Sequence, residues 1–387
     1  MAQLKTPIYL DYQATTPLDE RALKIMMPYL GEKFGNPHST THRFGWEGEA
    51  AVDLAREQVA AVIGAAPEEI IFTSGATEAN NLALKGVMQA IGVKRPHMVT
   101  VVSEHKCVLE AAWALRLRGF DLSILPIKAD GLIDLDRLAD SIREDTALVS
   151  VMAVNNEIGV IQPLAEIGAL AREKGALFHS DAAQAFGKIP LDVEAMNIDL
   201  MSLSGHKIYG PKGVGALYRR SKPKVPLVAQ MDGGGQEAGL RSGTLSPALC
   251  AGFGAAARIA LETQGSETRR ITELSGRFRK RLLKACPGIT VNGSLTNRYH
   301  GNINLSFPGL DGDLLLANLR ELAVSSGAAC ASATEGPSYV LEALRVPAEL
   351  AKSSLRIGFG RFTTSAEIDF AAERIAAVVA ELGGLKE

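Results

Sequence analysis

Residues 176–188 read ALFHSDAAQAFGK, and residues 200–213 read LMSLSGHKIYGPKG. Each stretch opens with a short apolar run and turns polar where the run stops, at Asp181 in the first and at Lys207 in the second. Such runs are typical of buried strands in a parallel sheet, and open α/β sheets bind ligands at the carboxyl ends of their strands. The two stretches therefore predict an α/β fold in which Asp181 and Lys207 share one crevice.

The same pattern extends through the first two thirds of the chain. Amphipathic, helix-period segments such as 77–91 and 163–174 alternate with further short runs rich in Val, Ile and Leu, which lie at 70–72, 98–102, 122–125, 148–152 and 215–218. This alternation predicts a largely parallel sheet covered by helices.

The last third of the chain has a different organisation. It ends in a helix whose capping box joins Thr364 to Glu367. Before that helix come a polar–apolar helix at 267–285 and separate strand-like runs at 302–307, 323–326 and 354–359. This part of the sequence predicts a smaller α+β unit.

The length of the chain favours two domains. Its 387 residues exceed the roughly 250–300 at which a single hydrophobic core stops growing. We expect a large, ligand-binding α/β domain at 15–261 and a small α+β domain, formed by 1–14 and 262–387, that carries Cys330. No repeat or Pro/Ser-rich linker separates them, so we expect them to pack together and to be joined by a helix.

Charge and hydropathy exclude several classes of protein. Lys and Arg number 41 against 43 Asp and Glu, so no overall basic field would draw the chain to nucleic acid or to an anionic membrane. No window approaches the roughly 18 apolar residues of a membrane span, and the N-terminus has no signal-like apolar segment. We expect a cytoplasmic protein that acts on a small molecule.

The four cysteines are scattered without any C-x-x-C pair, which argues against a disulfide framework and against a zinc site. Cys250 lies in apolar ALCAGFGAAA and Cys286 precedes a proline at a helix end, so both have the setting of inert thiols. Cys330 lies in SSGAACASA, a stretch of small residues with almost no apolar anchor. Cys107, two residues after His105, is either a reactive thiol or a small residue at a helix start.

The segment 74–77, SGAT, separates a predicted strand from a predicted helix. Backbone N–H groups at a helix start, together with two hydroxyls, suit a phosphate or a carboxylate, although Thr77 and Glu78 could simply cap the helix. Neither common nucleotide motif is present, because Gly187-Lys188 is followed by Ile rather than Ser or Thr and no strand precedes G-x-G-x-x-G. A phosphate held here would belong to another cofactor.

Asp181 and Lys207 together indicate pyridoxal phosphate. Either residue alone could be a helix cap or a solvated charge. As a pair they supply a lysine for the Schiff base and a carboxylate that keeps the pyridine nitrogen protonated, so that the ring becomes an electron sink. The turn at 74–77 then has a phosphate to bind.

A set of motifs in fixed order resembles the cysteine desulfurases of the NifS/IscS family. The motifs are SGATEANN, SEHK, NNEIG, HSDAAQAFGK, SGHKIYGPKG, GGGQEAGLRSGT, SSGAACASA and SLRIGFGRF, and the similarity covers nearly the whole chain. The resemblance implies a homodimeric enzyme of fold-type I with a mostly parallel, seven-stranded sheet. It also implies conversion of L-cysteine to L-alanine, with sulfur left on the enzyme as a persulfide for iron–sulfur cluster assembly and other thio-cofactors.

The resemblance also assigns roles to single residues. Lys207 matches the Schiff-base lysine, Asp181 the partner of the pyridine nitrogen, and Gln184 the donor to the ring oxygen. His105 matches the imidazole that stacks on the ring and assists proton transfer. The groups that match phosphate ligands are Ala76, Thr77, Ser204 and His206, with Thr244 lent by the neighbouring subunit.

Three further residues match groups that handle the substrate. Asn156 and Arg356 match holders of the substrate carboxylate, and a guanidinium does fork onto a carboxylate with two hydrogen bonds. A surface ion pair is the other interpretation of Arg356. Cys330 matches the nucleophile that forms the persulfide.

Several alternatives stay open at this stage. Another pyridoxal phosphate enzyme of the same fold, such as an aminotransferase, a kynureninase or a selenocysteine lyase, would use the same Lys207 and Asp181. A non-catalytic sulfur carrier on a decayed enzyme scaffold would have lost Lys207. Ala153 and Ala183 replace residues common in relatives, and the chain ends before the tail that helps longer relatives to dock the iron–sulfur scaffold. The sulfur acceptor therefore stays open.

Overall fold

The computed structural model describes residues 4–326 and 338–383. In chain order the strands of these residues are β1 (Ile8–Tyr9), β2 (Ile70–Thr73), β3 (His97–Val101), β4 (Asp121–Leu125), β5 (Thr146–Ser150), β6 (Leu177–Asp181), β7 (Leu200–Ser204), β8 (Gly215–Arg219), β9 (Thr290–Val291), β10 (Asn302–Ser306), β11 (Leu322–Ala323), β12 (Ser325–Ser326) and β13 (Ser354–Gly358). The helices are α1 (Glu20–Leu30), α2 (Arg43–Ala61), α3 (Ala76–Ile91), α4 (Lys106–Leu117), α5 (Leu135–Ser141), α6 (Leu164–Glu173), α7 (Pro247–Ala285), α8 (Gly312–Ala317), α9 (Tyr339–Ala343), α10 (Ala348–Lys352) and α11 (Ser365–Glu381).

A seven-stranded sheet dominates the first two thirds of the chain. Its strand order is β2-β8-β7-β6-β5-β3-β4, and every pair is parallel except the two that involve β8. Strands β3, β5 and β7 are buried at every position, since helices cover both faces of the sheet. This explains why their sequences are continuous rather than alternating apolar runs, and it confirms the predicted α/β fold.

A four-stranded antiparallel sheet, β12-β13-β10-β9, forms a second unit with α11 and the end of α7. Its core joins Phe278, Ile357 and Ile375 to Ile8 and Leu10 from the N-terminus. The predicted run at 323–326 is two short strands, because β11 pairs with β1 whereas β12 pairs with β13.

The last helix has the predicted start. The Thr364 side chain accepts a hydrogen bond from the Glu367 N–H, and the Glu367 carboxylate accepts one from the Thr364 N–H at 2.7 Å. This reciprocal pair satisfies two N–H groups that have no partner inside the helix.

Helix α7 is much longer than the sequence predicts. The predicted start at 267 is wrong, because the helix begins at Pro247, where the Ser246 hydroxyl caps it, and it runs unbroken for 39 residues. Its first half, rich in Ala and Gly, packs against α1 and α2 and is buried almost all round, so it has no polar face that could give a helical period. The expected domain boundary at 261/262 falls inside this helix and stays a prediction.

No helix in the part of the chain that the structure describes is both long enough and apolar enough to cross a membrane.

Candidate active site

A cavity of about 510 Å³ lies at the carboxyl ends of β2, β6 and β7, facing Arg356 from the second sheet. Its volume is in the range of small-molecule and cofactor sites. The predicted site residues that line it are Ala76, Thr77, His105, Asn156, Asp181, Gln184, Ser204, His206, Lys207 and Arg356. Thr244 is exposed and does not line it, and Cys330 lies outside the described residues.

Asp181, the last residue of β6, is 4% exposed and has both carboxylate oxygens engaged. Oδ1 accepts the N–H of Ala183 at 2.9 Å, and Oδ2 accepts the side-chain amide of Asn80 at 2.7 Å. Asn80, buried on α3, is a site residue that sequence reasoning missed. These two donors fix the orientation of the Asp181 carboxylate at the end of β6.

Lys207 follows β7 in a short 3₁₀ turn, Gly205–Lys207. Its amine donates to the carbonyl oxygens of Gln13 and Ala14 at 2.6 and 2.8 Å. The segment before α1 therefore forms one wall of the cavity. Gln13 had no sequence signal of its own, since it contributes a backbone carbonyl rather than a recognisable side chain.

The turn before α3 has the geometry of an anion site. Gly75 is the N-cap residue, with φ +152°, and no side chain caps the helix. Glu78 accepts the Ser74 N–H at 2.8 Å and pairs with Arg241 at 2.7 Å, so neither Thr77 nor Glu78 caps the helix, as the alternative interpretation required. The first helical N–H groups have no intrahelical partner and suit a phosphate.

His206 lines the same cavity as the turn before α3. Its Nδ1 lies 3.0 Å from the hydroxyl of Thr15. Burial and the charges of Lys207, Lys212 and Lys188 lower the pKa of His206 to about 4, so its imidazole is neutral at pH 7. A neutral imidazole can both donate and accept a hydrogen bond in this part of the cavity.

His105 caps the start of α4 and lies next to the thiol of Cys107. Its Nδ1 accepts the N–H of Cys107 at 3.2 Å and lies 3.0 Å from the Cys107 Sγ, while the Asn80 amide donates to that sulfur at 3.1 Å. Because Nδ1 accepts the backbone N–H, the neutral ring carries its proton on Nε2. Cys107 lines the cavity, in contrast to Cys250, which is buried with its pKa raised to about 12.

Arg356 on β13 is 1% exposed, so a surface ion pair is the wrong interpretation of this residue. Its Nη2 donates to Asp11 at 2.8 Å, and its Nη1 donates to the Asn156 carbonyl at 3.4 Å. The Arg356 Nε and the Asn156 Oδ1 are both buried without a partner among the described residues. A guanidinium and an amide in this state suit a polar ligand such as a carboxylate.

The residues present fit pyridoxal phosphate. The cavity combines an amine, a fixed carboxylate, a helix start for a phosphate, and partnerless buried polar atoms near Arg356. On a mostly parallel sheet, these features define a pyridoxal phosphate-dependent enzyme of fold-type I.

Comparisons with known proteins support this assignment to the pyridoxal phosphate-dependent enzymes. Residues 8–370 match the family described as Aminotransferase class-V. The chain is 54% identical over 376 residues to the cysteine desulfurase IscS of Rickettsia felis, which covers 97% of this chain and 92% of that protein. The IscS of Rickettsia rickettsii is also 54% identical, over 99% of this chain and 93% of its own length.

Solved structures show the same relationship. A NifS-like protein superposes with a TM-score of 0.90 at 35% identity, covering 97% of this chain and all of that one. SspA in complex with cysteine superposes with a TM-score of 0.82 at 37% identity, covering 92% and 99% of the two chains. The chain belongs to the class-V aminotransferase family and, within it, to the IscS-type cysteine desulfurases.

Proposed function

We propose that the protein converts L-cysteine to L-alanine and transfers the sulfur to Cys330 as a persulfide. One observation supports this proposal above all: Lys207, Asp181 and Arg356 line the same cavity. The chain that forms this cavity is 54% identical to a cysteine desulfurase. Lys207 and Asp181 suit the cofactor, and Arg356 suits an amino-acid carboxylate.

Asp181 would hold the pyridine nitrogen, Lys207 the aldehyde carbon, and the start of α3 with Ser204 and His206 the phosphate. Pyridoxal phosphate, when bound, takes up the electrons of the bond broken at the substrate α-carbon. Arg356 and Asn156 orient the substrate carboxylate. Lys207 and His105 carry protons, the latter through Nε2.

The sulfur step requires a nucleophile from the protein. Cys330 attacks the substrate sulfur, so that an S–S bond forms while the substrate C–S bond breaks and its electron pair stays with the carbon fragment. That fragment takes up protons and leaves as alanine. One thiol and one L-cysteine thus give one persulfide and one alanine.

A homodimer is part of the proposal. Met27, Leu30, Phe34 and Trp46 are each more than half exposed, and the Phe34 ring stacks on Phe44 with centroids 5.3 Å apart. An apolar surface of this kind suits a second copy of the chain. Thr244, exposed and outside its own cavity, would reach the phosphate of that copy.

The proposed recipient of the persulfide sulfur is an acceptor or iron–sulfur scaffold protein in the cytoplasm. The test of the activity is to incubate the purified protein and cofactor with L-cysteine and to quantify alanine and sulfide, with and without a dithiol reductant. We expect equal amounts of both with reductant, and alanine limited to about one turnover per site without it. Pyruvate or another keto acid as the main product would favour an aminotransferase or lyase, and much faster turnover of L-selenocysteine would favour a selenocysteine lyase.

A further inference from the structure

Lys188 is a partly buried lysine whose amine contacts a cavity residue from behind. It does not line the cavity itself, yet its Nζ donates to Oε1 of Gln184 at 2.9 Å. Gly187, at φ +69°, packs against Ala260, so that any side chain at Gly187 would collide with the Ala260 Cβ at 2.8 Å. In the turn that contains Gly187, Lys188 lies beside Gln184, four residues before it in the chain.

The contact determines which way the Gln184 amide points. A charged lysine has only N–H donors, so it selects the carbonyl oxygen of the amide and turns the NH₂ group away. Gln184 Nε2 accordingly faces the N-terminal segment and donates to the Gln13 carbonyl at 2.9 Å, the same oxygen that accepts from Lys207. The only N–H donors of the Gln184 side chain thus lie on the cavity side.

The surroundings of Lys188 hold the amine in place. Its Nζ lies 5.5 Å from the centroid of the Tyr299 ring, which is buried. Burial and the charge of Lys207 lower the pKa of Lys188 to about 7. An anionic group bound in the cavity would favour the charged amine, because opposite charges attract in a poorly solvated site.

We infer that Lys188 is a positioning residue for the cofactor: it orients and polarises Gln184 so that the Gln184 amide presents its N–H to the anionic ring oxygen of pyridoxal phosphate. The inference rests on the proposed function. A hydrogen bond from a positive amine strengthens the amide on its other side, since linked hydrogen bonds polarise one another.

The test is a double-mutant cycle on cofactor binding. Lys188→Met keeps the length of the side chain and removes the amine, and Gln184→Ala removes the amide. Apo protein of each variant is titrated with pyridoxal phosphate, and both the dissociation constant and the visible absorption maximum are recorded. Lys174→Met, which removes an exposed lysine at the end of α6, is the matched control.

We expect Lys188→Met to weaken cofactor binding about tenfold and to move the absorption maximum, with Lys174→Met unchanged. In the Gln184→Ala background, Lys188→Met should have no further effect on either readout. Lys188→Arg, which restores a donor, should recover part of the affinity and the original absorption maximum, and it provides the test if Lys188→Met does not fold.

Additive effects of Lys188→Met and Gln184→Ala would overturn the inference, as would wild-type affinity and spectrum in Lys188→Met. Wild-type protein that binds no pyridoxal phosphate would instead overturn the proposed function. The two failures are therefore distinguishable.

Discussion

Asp11 and Arg356 form an ion pair of 2.8 Å between segments that lie 345 residues apart in the chain. The second oxygen of Asp11 accepts the hydroxyl of Ser325 at 2.7 Å, so the carboxylate is itself fixed. Asp11 thereby holds Nη2 of a buried guanidinium, whose Nε has no partner among the described residues and is available to a ligand. The orientation of the substrate anchor is set before any substrate binds.

Replacing Arg356 by lysine should raise KM for L-cysteine roughly 10- to 100-fold and lower kcat much less. A lysine keeps the charge but cannot form two parallel hydrogen bonds with a carboxylate. The constants are measured from initial rates of alanine formation. Arg374→Lys, at a partly exposed ion pair with Glu321, is the control, and an unchanged KM in Arg356→Lys would contradict the assignment.

Borohydride reduction of the holoenzyme should attach the cofactor covalently to the peptide that contains Lys207. The amine of Lys207 lines the cavity, whereas that of Lys188 is directed at Gln184. The adduct is located by digestion and mass spectrometry. Lys207→Ala should yield no adduct and Lys188→Met should still yield it; attachment to any other lysine would show that the site is misassigned.

Cys330→Ala should bind cofactor and L-cysteine normally and lose at least roughly 100-fold in alanine formation, because the substrate sulfur has no acceptor. In wild-type protein given L-cysteine without reductant, mass spectrometry should find one extra sulfur atom on the Cys330 peptide. Cys107→Ser is the matched control, since this thiol lines the cavity beside His105. Extra sulfur on Cys107, or normal turnover by Cys330→Ala, would make Cys330 the wrong nucleophile.

Glu157 should make the protein less stable as pH rises. Burial raises the pKa of this carboxyl to about 7, although the hydroxyl of Ser338 donates to it and Arg356 is near. The folded state therefore binds a proton more tightly than the unfolded state, and stability declines between about pH 4.5 and 7.

Glu157→Gln should remove this decline, so the variant gains on the order of 2 kcal/mol over wild type between pH 5 and pH 7.5. Urea unfolding at both pH values measures the difference. Glu342→Gln, at an exposed position on α9, should leave the wild-type pH dependence in place. A gain that does not change with pH would mean that Glu157 is ionised in the folded protein throughout this range.

The sequence was informative where the signal is local. Each central strand is a short apolar run, and Asp181 and Lys207 are placed at strand ends by their own neighbours in sequence. The seven runs of the large sheet were all predicted for this reason. The first half of α7 was missed because burial all round removes the polar face on which helical periodicity depends.

The supporting residues of the cavity could not be predicted in this way. Asn80 reaches Asp181 across 101 residues, and Gln13 reaches Lys207 across 194. Neither had a signal of its own, since Asn80 is a common amide within the SGATEANN motif and Gln13 contributes a backbone oxygen. Only the packing of α3 and of the N-terminal segment against the sheet brings them to the site.

The N-terminal segment forms one wall of the cavity, and this determines when the cavity can close during protein synthesis. β1 leaves the ribosome first, but its partner β11 begins at Leu322, and the Leu10 carbonyl accepts the N–H of Gly358. At the usual 5–20 residues per second, roughly 15–60 s separate the emergence of β1 from that of β11. A nascent chain therefore holds most of its large sheet before it has a closed cavity, and cofactor capture with full affinity is expected only near the end of translation.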